Sequence, residues 1–264
     1  MTGIKAFLTV LLVMPLGHAL TVLALKLPPA GQYSVVIGGV LAATLIMFGT
    51  RYMRSAAWET FAGMIAGVLL WASLVEIGVK LGAEASGIGE KRAMEFSLAI
   101  IVPFFLYLLF NPNAQCNFFI SLRKGLRISR GNAQPVSTDN WGARTAFKMF
   151  TLIWMGHVAL FFSYDPEMFG IQGSFCKIFF VSCLLGGTYL FYRLIKAERM
   201  DFAFRYAIPA VVVIWSCIET LVKWRIFSEP WITLNPLFLT VVTLVFVGAL
   251  FLIVRAERKS KLSQ

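Results

Sequence analysis

Apolar residues run along this chain in long unbroken stretches, without the alternation of half-buried strands or the one-sided stripe of a surface helix. Eight stretches stand out, at 6–25, 33–50, 58–79, 95–110, 147–163, 175–192, 204–222 and 236–254. A spanning helix needs about 20 mostly apolar residues, whereas a spanning barrel strand needs about ten with strict alternation. The pattern therefore predicts an all-α, polytopic transmembrane helix bundle of about eight spans joined by short loops.

Composition narrows this further. Of 264 residues, 58% are hydrophobic and 14% charged, with a mean hydropathy of +0.76. A soluble domain is about 45–50% apolar, so that class is excluded, together with disorder and a disulfide scaffold. The lipid bilayer is the first partner implied. The net charge of +11 would suit nucleic acid, but its distribution predicts no such partner. With the N-terminus inside, Lys5, Arg51, Arg54, the loops over 111–148 and 193–205 and the tail after 254 carry 17 of the 24 Lys and Arg. That asymmetry is the positive-inside signature. It predicts both termini in the cytoplasm and a cytoplasmic-type membrane, the bacterial inner membrane being the expected one. No small-x-small site follows the first apolar run at Leu23-Ala24-Leu25-Lys26, so residues 1–25 read as a retained span rather than a cleaved signal.

A weak internal repeat sets the expected domain organisation. Ser73-Leu74-Val75-Glu76-Ile77-Gly78-Val79-Lys80 and Ser216-Cys217-Ile218-Glu219-Thr220-Leu221-Val222-Lys223 share four of eight positions at an offset of 143. The two His of the chain both follow Gly, as Gly17-His18 and Gly156-His157, at an offset of 139. Glu59 and Asp201, Arg51 and Arg193, and the pairs Gly38-Gly39 and Gly186-Gly187 recur at similar offsets. The prediction is a 4+4 parallel duplication, with halves over 1–113 and 141–264 that enter the membrane in the same sense. Between them, 114–140 forms a basic cytoplasmic loop. Its Phe118–Arg130 stretch interleaves apolar and basic residues, as in an interfacial helix held by anionic lipids at the cytoplasmic face, or as in a plain positive-inside anchor.

Ionisable groups within spans are costly and face interiors or aqueous cavities. They are His18, Glu76, His157 and Glu219. His18 lies roughly 18 Å, and Glu76 roughly 27 Å, of helical rise from the inner start of their spans. All four are thus expected in the outer half of the membrane, as one outward-facing polar site. Lys80 and Lys223, four residues after each Glu, are expected to pair with them. Trp154 and Trp215 share faces with His157 and Glu219, while Trp71, five before Glu76, fits an α-helical face less well.

Such a constellation suits a proton- or ion-coupled path that moves a small solute or ion. Two His and two Glu would also suit a divalent metal, and His18 with His157 could hold haem b, which would make the protein a membrane enzyme or redox subunit. The remaining alternatives are polar glue between helices and a non-catalytic scaffold of a membrane complex. The sequence names no catalytic residue and no substrate.

Overall fold

The computed structural model describes residues 2–111, 117–128 and 140–262, with backbone alone at 117, 118, 121 and 256–262. Among them all regular structure is helical. The elements are α1 (Thr2–Leu25), α2 (Pro29–Thr50), α3 (Ala56–Trp71), a π-helical turn (Ala72–Gly78), α4 (Val79–Ser86), α5 (Glu90–Phe110), α6 (Asn117–Gly125), α7 (Trp141–Tyr164), α8 (Ser174–Ile195), α9 (Met200–Lys223) and α10 (Pro236–Leu262). Eight helical stretches are long and apolar enough to cross a bilayer, with α3, the π turn and α4 forming one continuous stretch over Ala56–Ser86. The chain is an integral membrane protein in architecture. The physical reason is that hydrocarbon offers no partner to backbone N–H and C=O, so each span must satisfy them internally.

All eight predicted stretches fall within these helices. The ends run longer, because backbone hydrogen bonding continues past the apolar core into interfacial residues. α7, for example, starts at Trp141 rather than near 147, with the Arg144 guanidinium 5.7 Å from the Trp141 ring. Polar side chains and glycine mark several ends. The Ser55 hydroxyl accepts the Trp58 N–H at the start of α3, and Asn235 Oδ1 accepts the Phe238 N–H at the start of α10. Gly87, at φ +65°, closes α4 while the Ile88 N–H bonds the Ala83 carbonyl, a left-handed stop that glycine tolerates without a Cβ penalty.

The helices form two compact units. The first holds residues 1–26 and 163–264, hence α1, α8, α9 and α10. The second holds 27–162, hence α2 to α7 apart from the last residues of α7. These units cut across the sequence halves 1–113 and 141–264: the first span of each half packs with the last three of the other. α9 is the core helix of the first unit, with α1 and α8 against it, and 67% of its apolar window is buried against 11% for α10. The outer helices present rows of Leu, Ile and Phe, such as Leu237 and Leu244. In water such a surface would aggregate, and in lipid it is the proper solvent-facing side.

Of each Gly-Gly pair, only the second glycine lies at a helix contact. A Cβ on Gly39 would fall 1.9 Å from the Ser73 hydroxyl, and one on Gly187 would fall 2.7 Å from Ile214, while Gly38 and Gly186 face open space. Small residues let the backbones approach where no hydrophobic effect drives helices together in lipid. Within the second unit α3 and α7 approach backbone to backbone, with a Cβ on Gly63 placed 2.1 Å from the Gly142 carbonyl oxygen.

Within the predicted loop α6 is a short helix, and the Arg123 Nη1 donates to the carbonyls of Leu108, Leu109 and Asn111 at 3.3, 3.2 and 2.9 Å. It thus caps the orphan carbonyls at the end of α5. Of the predicted 114–140 loop, residues 114–116 and 129–139 lie outside the described residues.

Candidate functional site

The first unit sets His18 of α1 against the face of α9 that carries Trp215 and Glu219. The Nδ1 of His18 lies 2.9 Å from the Met14 carbonyl oxygen. A carbonyl only accepts, so Nδ1 carries the hydrogen and Nε2 is left as the titrating position. That Nε2 lies 3.4 Å from Glu219 Oε1. A neutral Nε2 lone pair facing an ionised carboxylate would be repulsive. The contact is attractive only when a proton resides on one partner, as imidazolium with carboxylate or as imidazole with carboxylic acid. The Trp215 indole N–H donates to the same Oε1, and the His18 and Trp215 rings lie 5.5 Å apart. Trp231, from the segment between α9 and α10, packs on Trp215 at 5.0 Å. Its own Nε1 is buried without a hydrogen-bond partner among the described residues.

A second unit-internal pair lies in the other group of helices. His157 Nδ1 of α7 is 3.3 Å from Glu76 Oε1 in the π turn, and the Trp71 ring lies 5.9 Å from the His157 ring. The π turn accounts for the spacing. Hydrogen bonds from i to i+5 bring residues five apart onto one face, as an α-helix does for residues four apart. Trp71 and Glu76 therefore share a face of this stretch despite the extra residue between them. Trp154 turns instead to α5 and donates to the Ser97 hydroxyl at 3.3 Å.

All four predicted polar residues are therefore paired, in two couples, each joining a His of one sequence half to a Glu of the other. Each couple is partly exposed, with side-chain accessibilities of 15% and 17% for His18 and Glu219 and of 22% and 20% for His157 and Glu76. The expected Glu–Lys ion pairs do not form: among the described residues neither Glu76 with Lys80 nor Glu219 with Lys223 closes to ion-pair distance. The carboxylates turn to the imidazoles, and Lys223 Nζ instead lies over the Tyr164 ring at 5.0 Å. Among the described residues no three His, Cys, Asp or Glu stand close enough to share an ion.

Glu229, on the segment after α9, was not legible as a site residue. Burial pushes its carboxyl above the ordinary value; Lys223 opposes the rise, Glu219 adds to it and His18 opposes it. Holding Glu229 ionised in the folded protein is thus unfavourable. The cost is absent below the ordinary carboxylate range, where both folded and unfolded forms keep the proton, and it grows as the pH rises through that range. Glu229→Gln is therefore expected to melt at higher temperature than the parent at about pH 7, with the difference vanishing towards about pH 4. Thermal melts of the two proteins across that range check it; equal melting temperatures at neutral pH would refute it.

Comparison with known families, with curated proteins and with solved structures finds no match to this chain.

Proposed function

We propose that this eight-span membrane protein moves a small solute or ion across a cytoplasmic-type membrane, with protons carried by its His–Glu pairs. The observation that carries this reading is the His18–Glu219 contact. Its Nδ1 is committed to a backbone carbonyl and its Nε2 faces a carboxylate, so the pair holds or releases a proton as a unit. Intramembrane acid–imidazole pairs are costly and are the usual parts of proton relays. The orphaned Trp231 indole beside Trp215 adds support. A buried unpaired donor costs about 1–3 kcal/mol, and an oxygen acceptor on a passing solute would satisfy it.

The chain also reads as a duplication in which first helices are exchanged. The same triad of His, Glu and Trp recurs in both units, always with the His from the other half. Gly3 and Gly142, at the same offset of 139 as the two His, each meet the second span of the other sequence half, α8 and α2: a Cβ would fall 2.0 Å from the Leu194 carbonyl oxygen and 2.3 Å from the Thr50 hydroxyl. The expected orientation remains both termini in the cytoplasm, from the 17 cations assigned to that side.

The test is reconstitution of the full chain in liposomes loaded with a pH-sensitive dye. Under an imposed pH gradient or membrane potential, protein-dependent proton movement is expected, with a solute that stimulates it identifying the cargo. Vesicles as tight as protein-free ones under every gradient would refute the reading. A Soret band or stoichiometric metal in the purified protein would favour a redox subunit instead. Tight vesicles together with co-purifying subunits would favour a scaffold.

A further inference from the structure

The turn between α8 and α9 borders an open cleft of about 300 Å³ lined by Lys196, Ala197, Glu198, Arg199, Phe202 and Arg205. We propose that this cleft is a discrete binding site for the phosphate group of a membrane phospholipid. α8 ends at Ile195 and α9 starts at Met200, so the turn lies where two spans leave the hydrocarbon, at headgroup depth.

Three cations line it, and their surroundings fix where they point. Asp201 takes the Nε and Nη2 of Arg199 at 3.2 and 3.1 Å. The same carboxylate accepts from Arg205 Nη2, while Arg205 Nε donates to the Asp201 backbone carbonyl at 3.0 Å. One carboxylate thus positions two guanidinium groups and offsets one of their charges, and the Arg199 side chain remains 79% exposed. Lys196 is steadied by Tyr192, with Nζ 4.1 Å from the ring centroid and bonded to the hydroxyl. One turn back, Arg193 bonds the Tyr189 hydroxyl at 3.1 Å. Both tyrosines are exposed on a helix that faces outward, as aromatic-belt residues are at the membrane surface. Phe202 is also exposed and gives the cleft an apolar wall for glycerol and the first acyl carbons.

Glu198 is the opposing charge. It favours a singly charged phosphodiester over a polyanion, and it offers an acceptor to a headgroup ammonium or hydroxyl. Basic pockets at span ends have this lipid chemistry. Free inorganic phosphate shares the ligand group but lacks the apolar part that Phe202 would meet.

The experiment is native mass spectrometry of the full chain in mild detergent, titrated with phosphatidylglycerol and, separately, with sodium phosphate. Each surface cation facing such a headgroup contributes roughly fivefold in affinity, so Lys196→Gln with Arg199→Gln is expected to weaken the first lipid-binding step by about 25-fold. Glu198→Gln is expected to tighten it by about fivefold, a gain that misfolding could not mimic. The charge-matched control, Arg51→Gln with Arg54→Gln at the α2–α3 turn, is expected to leave that step unchanged. Equal loss in the control would mean diffuse attraction to the basic surface and would overturn the site. So would unchanged binding in all variants. Sodium phosphate binding as tightly as the lipid would overturn the phospholipid assignment in favour of a soluble anion.

Discussion

Replacing Glu219 with glutamine is expected to lower proton flux through the reconstituted protein by at least about tenfold while leaving the helices assembled. Glutamine keeps the length and the oxygen that accepts from Trp215, but it cannot receive a proton from His18 Nε2, 3.4 Å away. The loss therefore isolates proton carriage from packing, at the scale that removal of a positioned acid or base produces. Trp215→Phe is the companion variant. It removes a donor to the carboxylate without removing the carboxylate, so it is expected to move the pH profile of flux rather than abolish it. Glu76→Gln asks the same of the second unit, where His157 Nδ1 lies 3.3 Å from the carboxylate. Full activity in both glutamine variants would leave the two couples as interhelical polar contacts and end their assignment as the proton carriers.

The second large effect concerns packing. Gly63→Ala is expected to destabilise the protein by about 2 kcal/mol or more, within or above the usual range for overpacking. The added Cβ would sit 2.1 Å from the Gly142 carbonyl oxygen. A backbone atom cannot rotate aside as a flexible side chain can, so α3 and α7 must separate. That movement would also strain the bond from the Gly142 N–H to Glu59 Oε1, now 3.0 Å. Gly49→Ala is the matched control in a neighbouring helix, with nothing within 4 Å of the new Cβ. There alanine is expected to be neutral or to stabilise by up to about 1 kcal/mol through its better helix propensity. Melting temperatures of the two variants in one detergent read the contrast, and similar temperatures would refute the close contact.

Particular residues show why the site was only half legible. His18, Glu76, His157 and Glu219 could be found because an ionisable group in an apolar run stands out whatever the fold. Their partners could not. The i,i+4 spacing of Glu219 and Lys223 suggested a pair within one helix, but the carboxylate finds an imidazole and an indole on its other side. Trp71 fits Glu76 less well on an α-helix, where five residues do not share a face, and the π turn over Ala72–Gly78 removes that objection. One signal was available: Trp71 and Trp215 are offset by 144 and the two Glu by 143, a one-residue slip that the π turn absorbs. Glu229 gave no signal, since its shift comes first from burial, which the sequence of a loop after a span does not record.

Taken alone, the amino-acid order determined the membrane class, the eight spans and which side chains are too polar for lipid. These follow from local transfer energies and from a backbone that must bond within itself, and neither depends on neighbours. Only the tertiary structure decided that α1 joins the helices of the second half and α7 those of the first. Helices in lipid associate through shape and specific polar contacts rather than through a hydrophobic gradient. The choice of partner therefore rests on glycine-deep approaches and single hydrogen bonds, which hydropathy does not record.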